Sequence, residues 1–141
     1  MIAYFATSAV VPLIINEAAT DHCNRVWNDS SRVVSVRLLY PEARAALGRA
    51  HRMNRLTRRQ LTAANSELDT VVTEVDHIEL TAELARTAGE LAQVHGLRGY
   101  DAVHLAAAQS VADDDLVLIT GDIDLAAAAQ SVGIAVSITT A

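Results

Sequence analysis

The feature that most limits the fold is an alternation along the chain. Five short runs rich in β-branched residues, Ile2 to Phe5, Arg32 to Val36, Thr70 to Val75, Leu116 to Thr120 and Ile134 to Ile138, are separated by longer stretches with helical spacing. Several of these runs are apolar at consecutive positions, as strands buried on both faces are. Strands that alternate with helices build a mostly parallel sheet with helices on its two sides. The sequence therefore predicts a three-layer α/β domain, with a mostly parallel five-stranded sheet, spanning residues 1–141 as a single domain.

The helical stretches carry their own signals. Residues 37 to 53 place Leu39, Ala43, Ala46, Leu47, Ala50 and Met53 on one side, with Pro41 in the first turn or in an entering turn. Thr57-Arg-Arg-Gln60 has the form of a capping box. Residues 78 to 95 repeat Leu80, Leu84, Ala88 and Leu91 before a stop at Gly96. Asp101 to Val111 and Asp122 to Ser131 supply two more helices. No segment has the roughly 18 unbroken apolar residues that span a bilayer, and no basic region precedes the first apolar run, so a cytoplasmic protein without membrane contact is expected. Cys23 stands alone and reads as a packing residue.

Charge is unevenly spread. The formal net charge is −6, yet all 11 basic residues are arginine, and no Asp or Glu occurs between Ala43 and Ser66. Arg44, Arg49, Arg52, Arg55, Arg58 and Arg59 crowd that stretch. On a helical wheel Arg44, Arg52 and Arg55 share the side opposite the apolar one, a stripe suited to RNA phosphates or simply a solvated face. Glu42 and Arg49 fall on the border between the two sides.

In parallel sheets, ligands bind beyond the carboxyl ends of the strands. Ala6, Thr7 and Ser8 follow the first strand, Glu42 lies on the helix after the second, and Asp122 and Asp124 follow the fourth in Thr120-Gly-Asp-Ile-Asp124. Asp101 opens the helix that runs back into the fourth strand, which puts it at the same edge. Carboxylates gathered from three segments suit Mg²⁺ or Mn²⁺. Taken singly, Asp101 and Asp122 also read as helix N-caps and Glu42 as a solvated helix residue. His104 reads first as a packed, satisfied helix histidine, with orientation of a carboxylate as the alternative; Arg98 suits either a phosphate or a site acid.

Taken whole, the order of elements resembles a known family. An apolar strand ending in x-Thr7-Ser8, a Glu early in the helix after strand two, Leu97-Arg-Gly-Tyr-Asp-Ala-Val-His-Leu-Ala106 and Leu118-Ile-Thr-Gly-Asp122 occur in sequence across essentially the whole chain. This resembles the PIN-domain ribonucleases, and within them the VapC toxins of toxin-antitoxin pairs. The resemblance implies four acids and a hydroxyl holding Mg²⁺ or Mn²⁺ for hydrolysis of RNA phosphodiesters. Glu42, Asp101 and Asp122 match three of the acids, Ser8 matches the hydroxyl, Thr120 supports the Asp122 step and Asp124 is a supplementary carboxylate. It also implies an RNA substrate, a small VapB-like antitoxin and a homodimer.

The sequence departs from the pattern at the fourth acid, where it has Ala6. Loss of that carboxylate removes charge that would fix an ion, so the chain is expected to fold like the active enzyme and cut poorly. Because the other acids remain, Ala6 is read as an inactivated Asp-to-Ala form; the alternative is a noncatalytic PIN-like module that binds RNA or antitoxin.

Overall fold

In a computed structural model, residues 1–139 are described. The elements run β1 (Ile2–Phe5), α1 (Thr7–Ile14), α2 (Thr20–Asp29), β2 (Arg32–Val36), α3 (Leu39–Arg52), α4 (Arg58–Val72), β3 (Asp76–Ile78), α5 (Ala82–His95), α6 (Gly99–Ser110), β4 (Leu116–Thr120), α7 (Ile123–Ser131) and β5 (Ala135–Ile138). The five strands form one sheet in the order β3-β2-β1-β4-β5, and every pairing is parallel. Strand β1 is the centre, with Tyr4 beside Val34 on one side and Leu118 on the other.

Side chains of successive strand residues point to opposite faces, and that period divides the core into two layers. Tyr4, Val34, Val36 and Leu118 pack with Leu84, Leu105 and Leu125 of α5, α6 and α7. Ala3, Phe5, Val33 and Ile119 pack with Val10, Cys23, Leu39, Leu47 and Leu68 of α1 to α4. Phe5 meets Trp27 edge-to-face, with ring centroids 5.4 Å apart. Cys23 is fully buried as expected, and burial pushes its thiol up to about 11. Among the described residues, no helix is long and apolar enough to cross a membrane.

The local signals act where the sequence places them. Thr57 Oγ1 accepts from the backbone N–H of Gln60, and Gln60 Oε1 accepts from that of Thr57, which completes the capping box. Helix α5 ends at Gly96, whose φ of 66° is the left-handed conformation a glycine adopts without penalty. Pro41 lies in the first turn of α3.

Two expectations are corrected. The β-branched run Thr70 to Val75 is not a strand: α4 continues to Val72 because Leu61, Ala64, Leu68 and Val71 keep helical spacing against the second core layer, and the edge strand begins at Asp76. Helix α6 begins at Gly99 with Arg98 at its N-cap, so Asp101 sits inside the first turn and does not cap it.

Candidate active site

The carboxyl ends of the strands open onto a cleft of about 350 Å³. The strand-to-helix turn after β1 contributes Ala6, Thr7 and Ser8; α3 contributes Glu42; α6 contributes Asp101 and His104; the end of β4 and the turn after it contribute Thr120 and Asp122. Parallel strands bring these segments to one edge, since each connection returns the chain to the opposite edge before the next strand starts.

Each acid is fixed differently. Glu42 Oε1 accepts a hydrogen bond from Thr7 Oγ1 at 2.8 Å and lies 2.7 Å from His104 Nε2. Asp122 caps α7, its Oδ1 accepting from the backbone N–H of Leu125 at 2.9 Å, while its own N–H donates to Thr120 Oγ1 at 3.0 Å. Ser8 Oγ lies 3.2 Å from Thr120 Oγ1 and accepts from the N–H of Gly121 at 2.8 Å. A side chain at position 121 would meet Thr139 rather than this clamp, because a Cβ there would stand 3.0 Å from Thr139 Oγ1 but at an ordinary contact distance of 3.6 Å from Ser8 Cβ. Glycine at 121 therefore lets the β4 turn lie close to the residue that follows β5.

Asp101 is only 8% exposed. Burial, then the neighbouring charge of Asp122, with Glu42 adding, push its carboxyl up to about 6. Because the folded value lies above the ordinary one, the folded chain keeps a proton that the unfolded chain releases between about pH 4 and pH 6. Stability therefore falls as pH rises through that window, and the penalty is complete above it. Asp101→Asn is expected to stabilise the fold at pH 7.5 by about 1–2 kcal/mol, solvent in the open cleft screening part of the effect. Urea unfolding at pH 7.5 and pH 4 checks this, with the gain absent at pH 4.

The remaining candidates divide. Arg98 is exposed, donates to Tyr100 Oη at 2.7 Å, and is held in its charged form chiefly by that hydroxyl, with Asp101 and Asp122 adding. Asp124 faces elsewhere: it lines a separate depression with His95 and Gly96 and is not brought into the cleft with Asp101 and Asp122. Arg44 donates to Tyr40 Oη at 2.9 Å, and that hydroxyl donates to Asp69. Arg55 pairs with Glu17, a residue of the cleft wall, at 3.4 Å, and Arg52 is exposed. The residue that sequence reasoning undervalued is His104. It is both packed and bonded to a site acid.

The donors gathered here are the hard oxygens that Mg²⁺ and Mn²⁺ take, but the set is short. Among the described residues, no three His, Cys, Asp or Glu side chains are placed to hold one ion. Glu42 is engaged by Thr7 and His104, and position 6 offers only a methyl group. With Ala6 in place, these residues do not fit a firmly held divalent ion.

A parallel α/β fold with acids from three segments at one rim is shared by several classes of protein, and likeness to known proteins narrows them. The PIN domain family matches residues 3–131. Ribonuclease VapC49 of Mycobacterium tuberculosis (strain ATCC 25618 / H37Rv) is 39% identical over 130 residues, covering 92% of this chain and 90% of that protein. The crystal structure of Mycobacterium tuberculosis VapC20, a Sarcin-Ricin loop cleaving toxin, shares the fold with a TM-score of 0.70 at 22% identity, over 89% of this chain and 94% of that one. A toxin-antitoxin complex from Klebsiella pneumoniae gives a TM-score of 0.68 at 19% identity, over 98% of each chain. The chain belongs to the PIN-domain family and, within it, to the VapC ribonucleases.

Proposed function

We propose that this chain has the scaffold of a metal-dependent endoribonuclease toxin from a toxin-antitoxin pair, and that Ala6 leaves it strongly impaired. The observation that carries the reading is the sharing of one cleft by Glu42, Asp101 and Asp122 directly beside position 6. The ribonuclease name of the 39% identical relative supports the same chemistry. With an aspartate at position 6, the carboxylates at 6, 42, 101 and 122 would hold Mg²⁺ or Mn²⁺, which when bound neutralises charge on phosphoryl oxygens and acidifies water.

The chain's own residues do the positioning. Ser8 and Thr120 hold the ends of β1 and β4 together, so that position 6 and Asp122 keep a fixed separation. Thr7 fixes Glu42, and Arg98 beside the acids offers a guanidinium to phosphate. Arg44, Arg52 and Arg55 extend positive charge away from the cleft for an RNA backbone. Their joint replacement by Gln is expected to flatten the salt dependence of RNA binding, each lost phosphate contact removing about 0.7 from the log–log slope on a single strand. Filter binding at several salt concentrations reads this, and an unchanged slope removes all three from the interface.

A small VapB-like antitoxin is the proposed protein partner, supported by the toxin-antitoxin complex that shares the fold, with a homodimer as the assembled form. One observation favours a second reading, a noncatalytic module that holds RNA or antitoxin: no three metal-ligating side chains meet among the described residues. Incubating this chain and its Ala6→Asp variant with a broad RNA panel in Mg²⁺, Mn²⁺ or EDTA separates the two. Cleavage confined to the variant and to added metal is the expected result, whereas two inert proteins favour the binding module.

A further inference from the structure

His104 is a histidine inside an apolar layer, 2% exposed, on the face of α6 that meets the central strand. Its two ring nitrogens have different neighbours. Nδ1 lies 2.8 Å from the Tyr4 hydroxyl of β1, and Nε2 lies 2.7 Å from Glu42 Oε1 of α3 and 3.2 Å from Thr7 Oγ1 of α1. One ring thus ties the middle of the sheet to three helices and ends on a site acid.

The bonding chemistry requires a donor at the nitrogen that faces the acid. An ionised carboxylate only accepts, so the nitrogen facing Glu42 must be the N–H donor. The Tyr4 phenol is fully buried and keeps its proton; Ser35 beside it donates to the Phe5 carbonyl. With that proton turned to Nδ1, 2.8 Å away, the phenol leaves this nitrogen bare. Both bonds on Glu42 end on Oε1, and Oε2 receives no hydrogen bond among the described residues. The side chain of Glu42 remains 20% exposed to the cleft.

We infer that His104 is a positioning residue: held by Tyr4 in the Nε2–H form, it pins Glu42 Oε1 and leaves Oε2 as the oxygen presented to whatever the cleft holds. This rests on the nuclease reading for its catalytic consequence, although the geometry belongs to the chain as it stands. Tyr4 acts one step further back, by keeping the ring in the donating form. A buried histidine with only a packing role would need neither an acid on one nitrogen nor a hydroxyl on the other.

Two measurements test it. In the chain as it stands, ¹⁵N-histidine NMR at pH 7.5 is expected to show His104 with Nε2 protonated and Nδ1 bare, and Tyr4→Phe is expected to erase that preference. A protonated Nδ1 overturns the inference. In an Ala6→Asp background, His104→Asn, which cannot reach Glu42, is expected to lower kcat by about tenfold to a hundredfold with KM little changed. His104→Gln, whose amide nitrogen falls near the Nε2 position, is expected to recover most of that loss at matched thermal stability. Equal losses in both variants, or none in either, would reduce His104 to a packing residue. Should Ala6→Asp itself cut no RNA under any condition, the nuclease reading fails, while the NMR result still decides the positioning.

Discussion

Replacing Ala6 by aspartate is expected to raise the single-turnover rate of RNA cleavage in Mg²⁺ or Mn²⁺ by about two to four powers of ten, a barrier change of about 3–5 kcal/mol. Position 6 sits where the central strand ends. It is 2% exposed, lines the cleft with Asp101 and Asp122, and is the N-cap of α1 with no side-chain cap. An aspartate there gains an anchor as well as a role. Its carboxylate can accept from the free N–H groups of the first turn of α1, a cap contributing about 0.5–2 kcal/mol where solvent and charge allow. Like charge from Asp101, Asp122 and Glu42 opposes that gain in the absence of a cation, so the variant is expected to gain thermal stability when Mn²⁺ is added, more than the Ala6 chain does. EDTA is expected to return its cleavage rate to that of the parent.

The second large effect lies in the core that holds the site in place. Phe5→Ala is expected to destabilise the fold by about 3–5 kcal/mol. Phe5 is fully buried, packs edge-to-face on Trp27, and precedes position 6 on the central strand. Truncation leaves a cavity between the sheet and α2 that the two flanking strands cannot close, since β1 is bonded to β2 and β4 on both sides. Against a typical domain stability of about 5–15 kcal/mol, that is a large share. Urea unfolding checks it, with Ile123→Ala as a control: Ile123 is 66% exposed, and a change within about 0.5 kcal/mol is expected there.

Much of the architecture was legible because its signals repeat. The apolar runs of β1, β2 and β4, the capping box at Thr57 and the left-handed stop at Gly96 each rest on local periodicity or local stereochemistry, and each lies where it was expected. What was not legible depends on tertiary context. Thr7–Ile14 carries Val10, Val11 and Pro12, residues that disfavour an isolated helix, yet it is helical where the chain must turn back under the sheet. Strand β3 is three residues long, too short for a period to show, and the β-branched end of α4 imitates it.

The site divides in the same way. Glu42, Asp101 and Asp122 could be gathered by a topological rule alone, because strand order decides which segments share an edge. The contacts between side chains could not be. Tyr4, Thr7, Glu42 and His104 form one hydrogen-bonded group, although His104 lies 100 residues from Tyr4 and 62 from Glu42. Nothing in the spacing of Asp101-Ala-Val-His104 says which nitrogen meets which partner. Asp124 shows the converse, since two residues of helix suffice to turn a rim acid into another depression.

On the proposed function, the cleft is a nuclease site short of one carboxylate. Mn²⁺ binding at pH 7.5, followed by electron paramagnetic resonance for this chain and for Ala6→Asp, tests it most directly. Binding at least about tenfold tighter is expected in the variant, with the gain abolished by a further Asp122→Asn change. Equal affinities in the two proteins, with both folded, would contradict it.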